Sequence, residues 1–214
     1  RPPRSTQGVS SAASDVYKRQ VKYLGQKFSD NEIHLIGFSL GGNISLRISA
    51  SPEINFLKKT IVLSPVINPE NSMNAMDKNS WILRKYFIEK WKKTIRRKID
   101  LYNINAKEAL KHKNIKSLTE YFTENFTPHS HVRDLFSAYA VTQETLNNIN
   151  HDTFIYSAYD DPCVPIEPLL ELEETTNVEF NALEYGGHCG FIDDFRFTSS
   201  VYHEISKKLE SNAH

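Results

Sequence analysis

The chain has 214 residues, with 26 basic and 26 acidic side chains and so no net charge when histidine is neutral. That balance gives no support for nucleic-acid binding as the main role, and no apolar run approaches the roughly 18 residues a membrane span needs. Two cysteines, Cys163 and Cys189, are too few for a disulfide framework, and the length suits one domain with an insertion.

Residues 1–20 have no apolar period and join abruptly to an ordinary globular sequence at Val21. They resemble in-frame translations of a transposon-type sequencing adapter, with Gln7-Gly8-Val9 where a sample index would fall, and are expected to be a non-native tail. They hold Arg1, Arg4, Lys18 and Arg19 against Asp15, so residues 21–214 keep 22 basic and 25 acidic side chains, net −3.

Val21 to Phe28 reads as the end of a helix with Tyr23, Leu24 and Phe28 on its apolar side. Ile33–Phe38 reads as a strand, Leu40–Ala50 as a helix and Thr60–Pro65 as the next parallel strand. From Pro69 to Pro128 the pattern turns to polar helices. Asn79-Ser80 is placed to cap a helix over Trp81–Tyr102, with Ile88, Trp91, Ile95, Ile99 and Tyr102 in helical spacing, and further helices are predicted over 106–112 and 117–125. A fourth helix, 132–147, returns the chain to strand 153–158, helix 166–175, strand 178–183 and helix 198–209. Such strand–helix–strand succession demands a parallel sheet. The expected division is a core over 21–68 and 129–214 and a helical cap over 69–128.

Three loops carry chemistry, each directly after a predicted strand. Gly37-Phe38-Ser39-Leu40-Gly41 is the G-x-S-x-G turn of a nucleophile elbow, which leaves a serine hydroxyl exposed at the strand's end and points to ester or related acyl chemistry. The sharp turn predicts a strained Ser39, small residues two before and two after it (Gly37 and Gly41), and the Leu40 backbone N–H facing an oxyanion. Asp160-Asp161-Pro162 follows the second late strand. Asp161 takes the register in which an acid orients a histidine, with Asp160 as the alternative and an Asp-Pro turn as the bland reading. Gly186-Gly187-His188 follows the last strand, where glycines let His188 bend back towards Ser39. The order Ser39, Asp161, His188 is that of the hydrolase elbow type, unlike the chymotrypsin or subtilisin orders. Neither metal-ligand spacing nor a glycine-rich phosphate loop is seen, so no metal and no cofactor is expected.

The helix over 81–102 admits two readings. Arg84, Lys85, Lys90, Lys92, Lys93, Arg96, Arg97 and Lys98, interleaved with Trp81, Phe87 and Trp91, suit either a solvated basic face or contact with an anionic membrane surface.

The strings Gly37-Phe38-Ser39-Leu40-Gly41-Gly42-Asn43, Ala158-Tyr159-Asp160-Asp161-Pro162 and Gly186-Gly187-His188-Cys189-Gly190-Phe191 resemble the YheT-type, or AB hydrolase 4, branch of the α/β-hydrolases. Arg84-Lys85-Tyr86-Phe87-Ile88 and the 121–139 stretch resemble its cap. The resemblance runs from Val21 onward. It implies a serine carboxylesterase or lipase-like hydrolase with Ser39, Asp161 and His188 as its triad, a small-molecule ester as substrate, and some relatives acting on phospholipids or medium-chain esters. In that fold the elbow follows the fifth strand. On the order of a hundred residues are therefore expected upstream of Val21, among them the second oxyanion donor, and the fold class is α/β, the C-terminal half of an α/β-hydrolase with an inserted cap. A cytoplasmic location is the default expectation. An inactive fragment and an acyltransferase on the same triad stand as alternatives.

Overall fold

The computed structural model describes residues 9–78 and 81–210, the side chains of residues 9–14 and Leu83 excepted. At its centre lie four parallel strands, β1 (Ile33–Phe38), β2 (Leu57–Leu63), β3 (Asp152–Ala158) and β4 (Val178–Leu183), hydrogen-bonded in the order β1-β2-β3-β4. Each pair is in parallel register, as in Val62 opposite Ile155 and Ile155 opposite Phe180. The fold is α/β, because β-branched runs buried on both faces alternate with helices that cover them.

Alternation along the strands sorts the core into two layers. On one face Val62, Ile155 and Val178 pack with Leu46 of α2 (Leu40–Ser49), Leu146 of α7 (Gln143–Asn147) and Leu169 of α8 (Glu167–Leu170). On the other, Ile61, Leu63 and Tyr156 pack with Phe191 and with Val201 and Ile205 of α9 (Ser200–Glu210). β1 is an edge strand, and its Ile36 and Phe38 stay 42% and 45% exposed.

Between β2 and β3 lie α3 (Pro69–Lys78), α4 (Trp81–Tyr102), a 3-10 turn (Lys107–Lys111), α5 (Ile115–Phe126), α6 (Val132–Tyr139) and α7. α4, the 3-10 turn and α5 share an apolar cluster of their own, built on Ile88, Ile95, Ala106, Ala109 and Leu118. Asn114 caps α5 by accepting the Ser117 N–H. The cap expected at Asn79-Ser80 falls outside the described residues.

Several boundaries differ from the sequence expectation. The first helix, α1, runs Val9–Lys27 and so begins inside the segment read as a tail. The single helix expected over 132–147 is broken at Ala140-Val141-Thr142. Val141 is 4% exposed and donates its N–H to the Ile67 carbonyl, and this tertiary bond outweighs helix continuation. Thr142 then restarts the chain with a capping box on Thr145. The helix expected over 166–175 is a single turn, since the Glu173 N–H donates to Gln143 Oε1 and Thr175 bridges to Val178 instead of continuing the helix.

Candidate active site

Ser39 leaves β1 and enters α2 with φ 52° and ψ −121°, the strained conformation expected of an elbow. Its N–H donates to the Leu63 carbonyl and its carbonyl accepts from Asn43 and Val66, so the turn is pinned to β2 and α2 together. Gly37 is required because a Cβ there would sit 2.5 Å from Ser45 Oγ and 2.7 Å from the Gly41 carbonyl. The small residue after the serine is a different one from that expected. Nothing lies within 4 Å of where a Cβ on Gly41 would be, whereas one on Gly42 would meet Pro65 at 2.9 Å. The crowding is set by how closely α2 approaches the end of β2, which the local spacing does not reveal.

The loops after β3 and β4 meet this turn. His188 Nε2 lies 3.0 Å from Ser39 Oγ, across 149 residues of sequence, and His188 Nδ1 lies 2.9 Å from Asp161 Oδ2 and 3.1 Å from Oδ1. With Nδ1 protonated towards the carboxylate, Nε2 is left as the acceptor of the serine proton. The Asp161 side chain is 1% exposed, and its Oδ1 also accepts the N–H groups of Cys163 and Val164 at 2.8 and 2.9 Å. These amides, two and three residues further on, close an Asx-type turn on the carboxylate. Leu40 supplies the first N–H of α2, beside the serine, where a helix start leaves donors without an intrahelical partner.

Asp160 faces away from the imidazole. Its Oδ1 accepts the N–H groups of Gly186 and Gly187 at 2.9 and 2.8 Å, so it staples the base of the histidine loop. Three more contacts hold that loop. Cys189 N–H donates to Ser64 Oγ, the Cys189 carbonyl accepts the Tyr202 hydroxyl from α9 at 2.7 Å, and Phe191 N–H donates to the Gly186 carbonyl. Ser64, Cys189 and Phe191 join Ser39 in having positive φ, at 45°, 65° and 46°, which concentrates backbone strain around the site. Sequence reasoning missed Ser64 and Tyr202, for no local motif marks a residue whose partner lies on another loop.

Both cysteines border the site. Burial pushes the Cys163 thiol up to about 11, with Asp161 adding to the shift, and burial also raises Cys189. Neither thiol is poised as a nucleophile. Among the described residues one group has donor atoms close enough for a metal, Asp161, Cys163 and His188, all within 4.8 Å of one another. An ion there would compete with the proton on Nδ1 that joins the imidazole to its carboxylate.

Residues 2–195 match the family model described as alpha/beta hydrolase fold. The chain is 23% identical over 211 residues to "Abhydrolase domain-containing protein 2" of Drosophila melanogaster, covering 88% of this chain and 52% of that protein. It is 26% identical over 180 residues to "Putative esterase YheT" of Escherichia coli K12, covering 80% of this chain and 52% of that protein. The chain thus spans about half the length of the curated relatives it matches. Among solved structures, a serine hydrolase of the polyaromatic-hydrocarbon-degrading Cycloclasticus zankles superposes with a TM-score of 0.59 at 16% identity, covering 99% of this chain and 76% of that one, a likeness of fold.

Proposed function

The chain belongs to the alpha/beta hydrolase fold family, and we propose that within it the protein is a serine esterase, of the YheT-like branch, working through Ser39, His188 and Asp161. The observation that carries this reading is the continuous hydrogen-bond path from Ser39 Oγ through His188 to Asp161, at 3.0 and 2.9 Å.

In the proposed reaction His188 Nε2 takes the Ser39 proton as Oγ attacks an ester carbonyl. Asp161 stays ionised, held by two amides, and stabilises the imidazolium. The Leu40 N–H donates to the oxyanion. Collapse breaks the bond to the alcohol oxygen, which leaves with the proton returned by His188. Water then attacks the acyl-serine with His188 as base, releasing the acid and restoring Ser39. The serine-hydrolase neighbour and the esterase-named relative agree with this reading. An acyltransferase on the same triad would pass the acyl group to an added alcohol instead of water, which product analysis distinguishes.

A fluorophosphonate probe on folded protein is the test. Ser39 is expected to be labelled, with Ser39→Ala silent and Asp161→Asn slowed by about 10⁴. Equal labelling of wild type and Ser39→Ala would overturn the assignment.

A further inference from the structure

α4 presents a face that the proposed esterase chemistry does not use. The helix carries eight lysines and arginines against Glu89 and Asp100 over 22 residues. Among the described residues its one ion pair is internal, Arg96 Nη1 to Glu89 at 4.0 Å. Ile88 and Ile95 are buried on its inner side, each 5% exposed. On the outer side Ile82, Tyr86, Lys90, Lys93, Arg97 and Leu101 recur at four- and three-residue steps, which sets them in one stripe along the helix, and three-residue steps from Tyr86 and Arg97 bring Glu89 and Asp100 onto the same side. All six are exposed, with Ile82 at 61%, Tyr86 at 55% and Leu101 at 63%. Trp81 (65% exposed) and Trp91 (42%) lie off this stripe, at seven- and three-residue steps from the buried Ile88.

We propose that this face docks on an anionic lipid bilayer, with α4 lying flat in the headgroup layer. Eight cations against two carboxylates leave the helix with a net charge of +6, which matches the negative surface, and the large apolar side chains at both ends of the stripe match the acyl boundary. The exposed Tyr86 ring in the stripe suits the headgroup level, being apolar in body and polar at one edge. A nucleic acid would use the cations and leave Ile82 and Leu101 without a role. A surface mode also agrees with the absence, among the described residues, of any helix long and apolar enough to cross a membrane. The same helix packs Phe87 on Val66, Cys163 and Val164, so the docked element abuts the loop that carries Asp161.

The full chain, mixed with phosphatidylcholine vesicles containing phosphatidylglycerol, is expected to co-sediment with them, with binding weakened by salt. Neutralising Lys90→Gln, Lys93→Gln and Arg97→Gln together should weaken partitioning about 100-fold, at roughly fivefold per cation. Ile82→Ser with Leu101→Ser should weaken it while leaving the salt dependence in place. Unchanged thermal melts check that these exposed variants fold. Equal binding to pure phosphatidylcholine, or a neutralised variant that binds like wild type, would each overturn the proposal. So would binding to heparin as tight as to the anionic vesicles and indifferent to Ile82→Ser and Leu101→Ser.

Discussion

Gly37→Ala and Gly41→Ala should separate sharply, although both glycines stand two residues from Ser39. A Cβ at Gly37 would lie 2.5 Å from Ser45 Oγ, 2.7 Å from the Gly41 carbonyl and 2.8 Å from Gly42 Cα. Two of those neighbours are backbone, so the strand end or the helix start must move, at a cost of about 1–3 kcal/mol for overpacking. At Gly41 the space is open and the residue is helical, so alanine should stabilise by about 0.5–1 kcal/mol. The two variants should therefore differ by about 1.5–4 kcal/mol. At roughly 2–4 °C per kcal/mol for a domain of this size, that is a gap in Tm of about 3–16 °C, read by circular dichroism melts. Fluorophosphonate labelling should follow the same order, because moving the elbow displaces Ser39 Oγ from His188. If Gly41→Ala lowers Tm as far as Gly37→Ala does, the packing argument is wrong.

Asp160→Ala removes the acceptor of two loop amides at an exposed position, so Tm should fall by only a few degrees while Ser39 labelling slows between ten- and a hundredfold. Asp160→Asn keeps the oxygen and should restore most of the rate; failure of that rescue would remove the staple from the account. His151, between Asn150 Oδ1 and Thr60 Oγ1, has its pKa lowered from 6.5 by burial, with Asp152 pulling the other way. The fold therefore favours the neutral ring. Its contribution is present above pH 6.5 and is lost as pH falls through the lowered folded pKa. Tm measured from neutral to mildly acidic pH should drop more steeply in wild type than in His151→Gln, and parallel curves would exclude the coupling.

The strands were the most legible part of the sequence. Thr60-Ile61-Val62-Leu63 and Thr153-Phe154-Ile155-Tyr156 are short β-branched or aromatic runs buried on both faces, so the signal is local and strong. The helices were less so, because α6 and α7 are parted by a bond from Val141 to Ile67 that no window of neighbouring residues contains. At the site, Ser39, Asp161 and His188 stood out through glycine and proline punctuation at strand ends. What holds them was hidden. Two adjacent aspartates look alike in sequence, yet Asp161 turns towards the imidazole and Asp160 towards two glycine amides. Tyr202 reaches the loop only because α9 folds back across the sheet.

That returning helix has a consequence for biosynthesis. The histidine loop follows β4 and is tied to α9 through Tyr202, so the Ser39 hydroxyl meets the His188 imidazole only after a loop 149 residues further along, and α9 behind it, have left the ribosome. Contacts so remote in sequence form late and slowly. On the proposed triad, a nascent polypeptide carrying the elbow without that loop would be silent to a fluorophosphonate probe, and the onset of reactivity during translation would mark the closing of the last contacts of the fold.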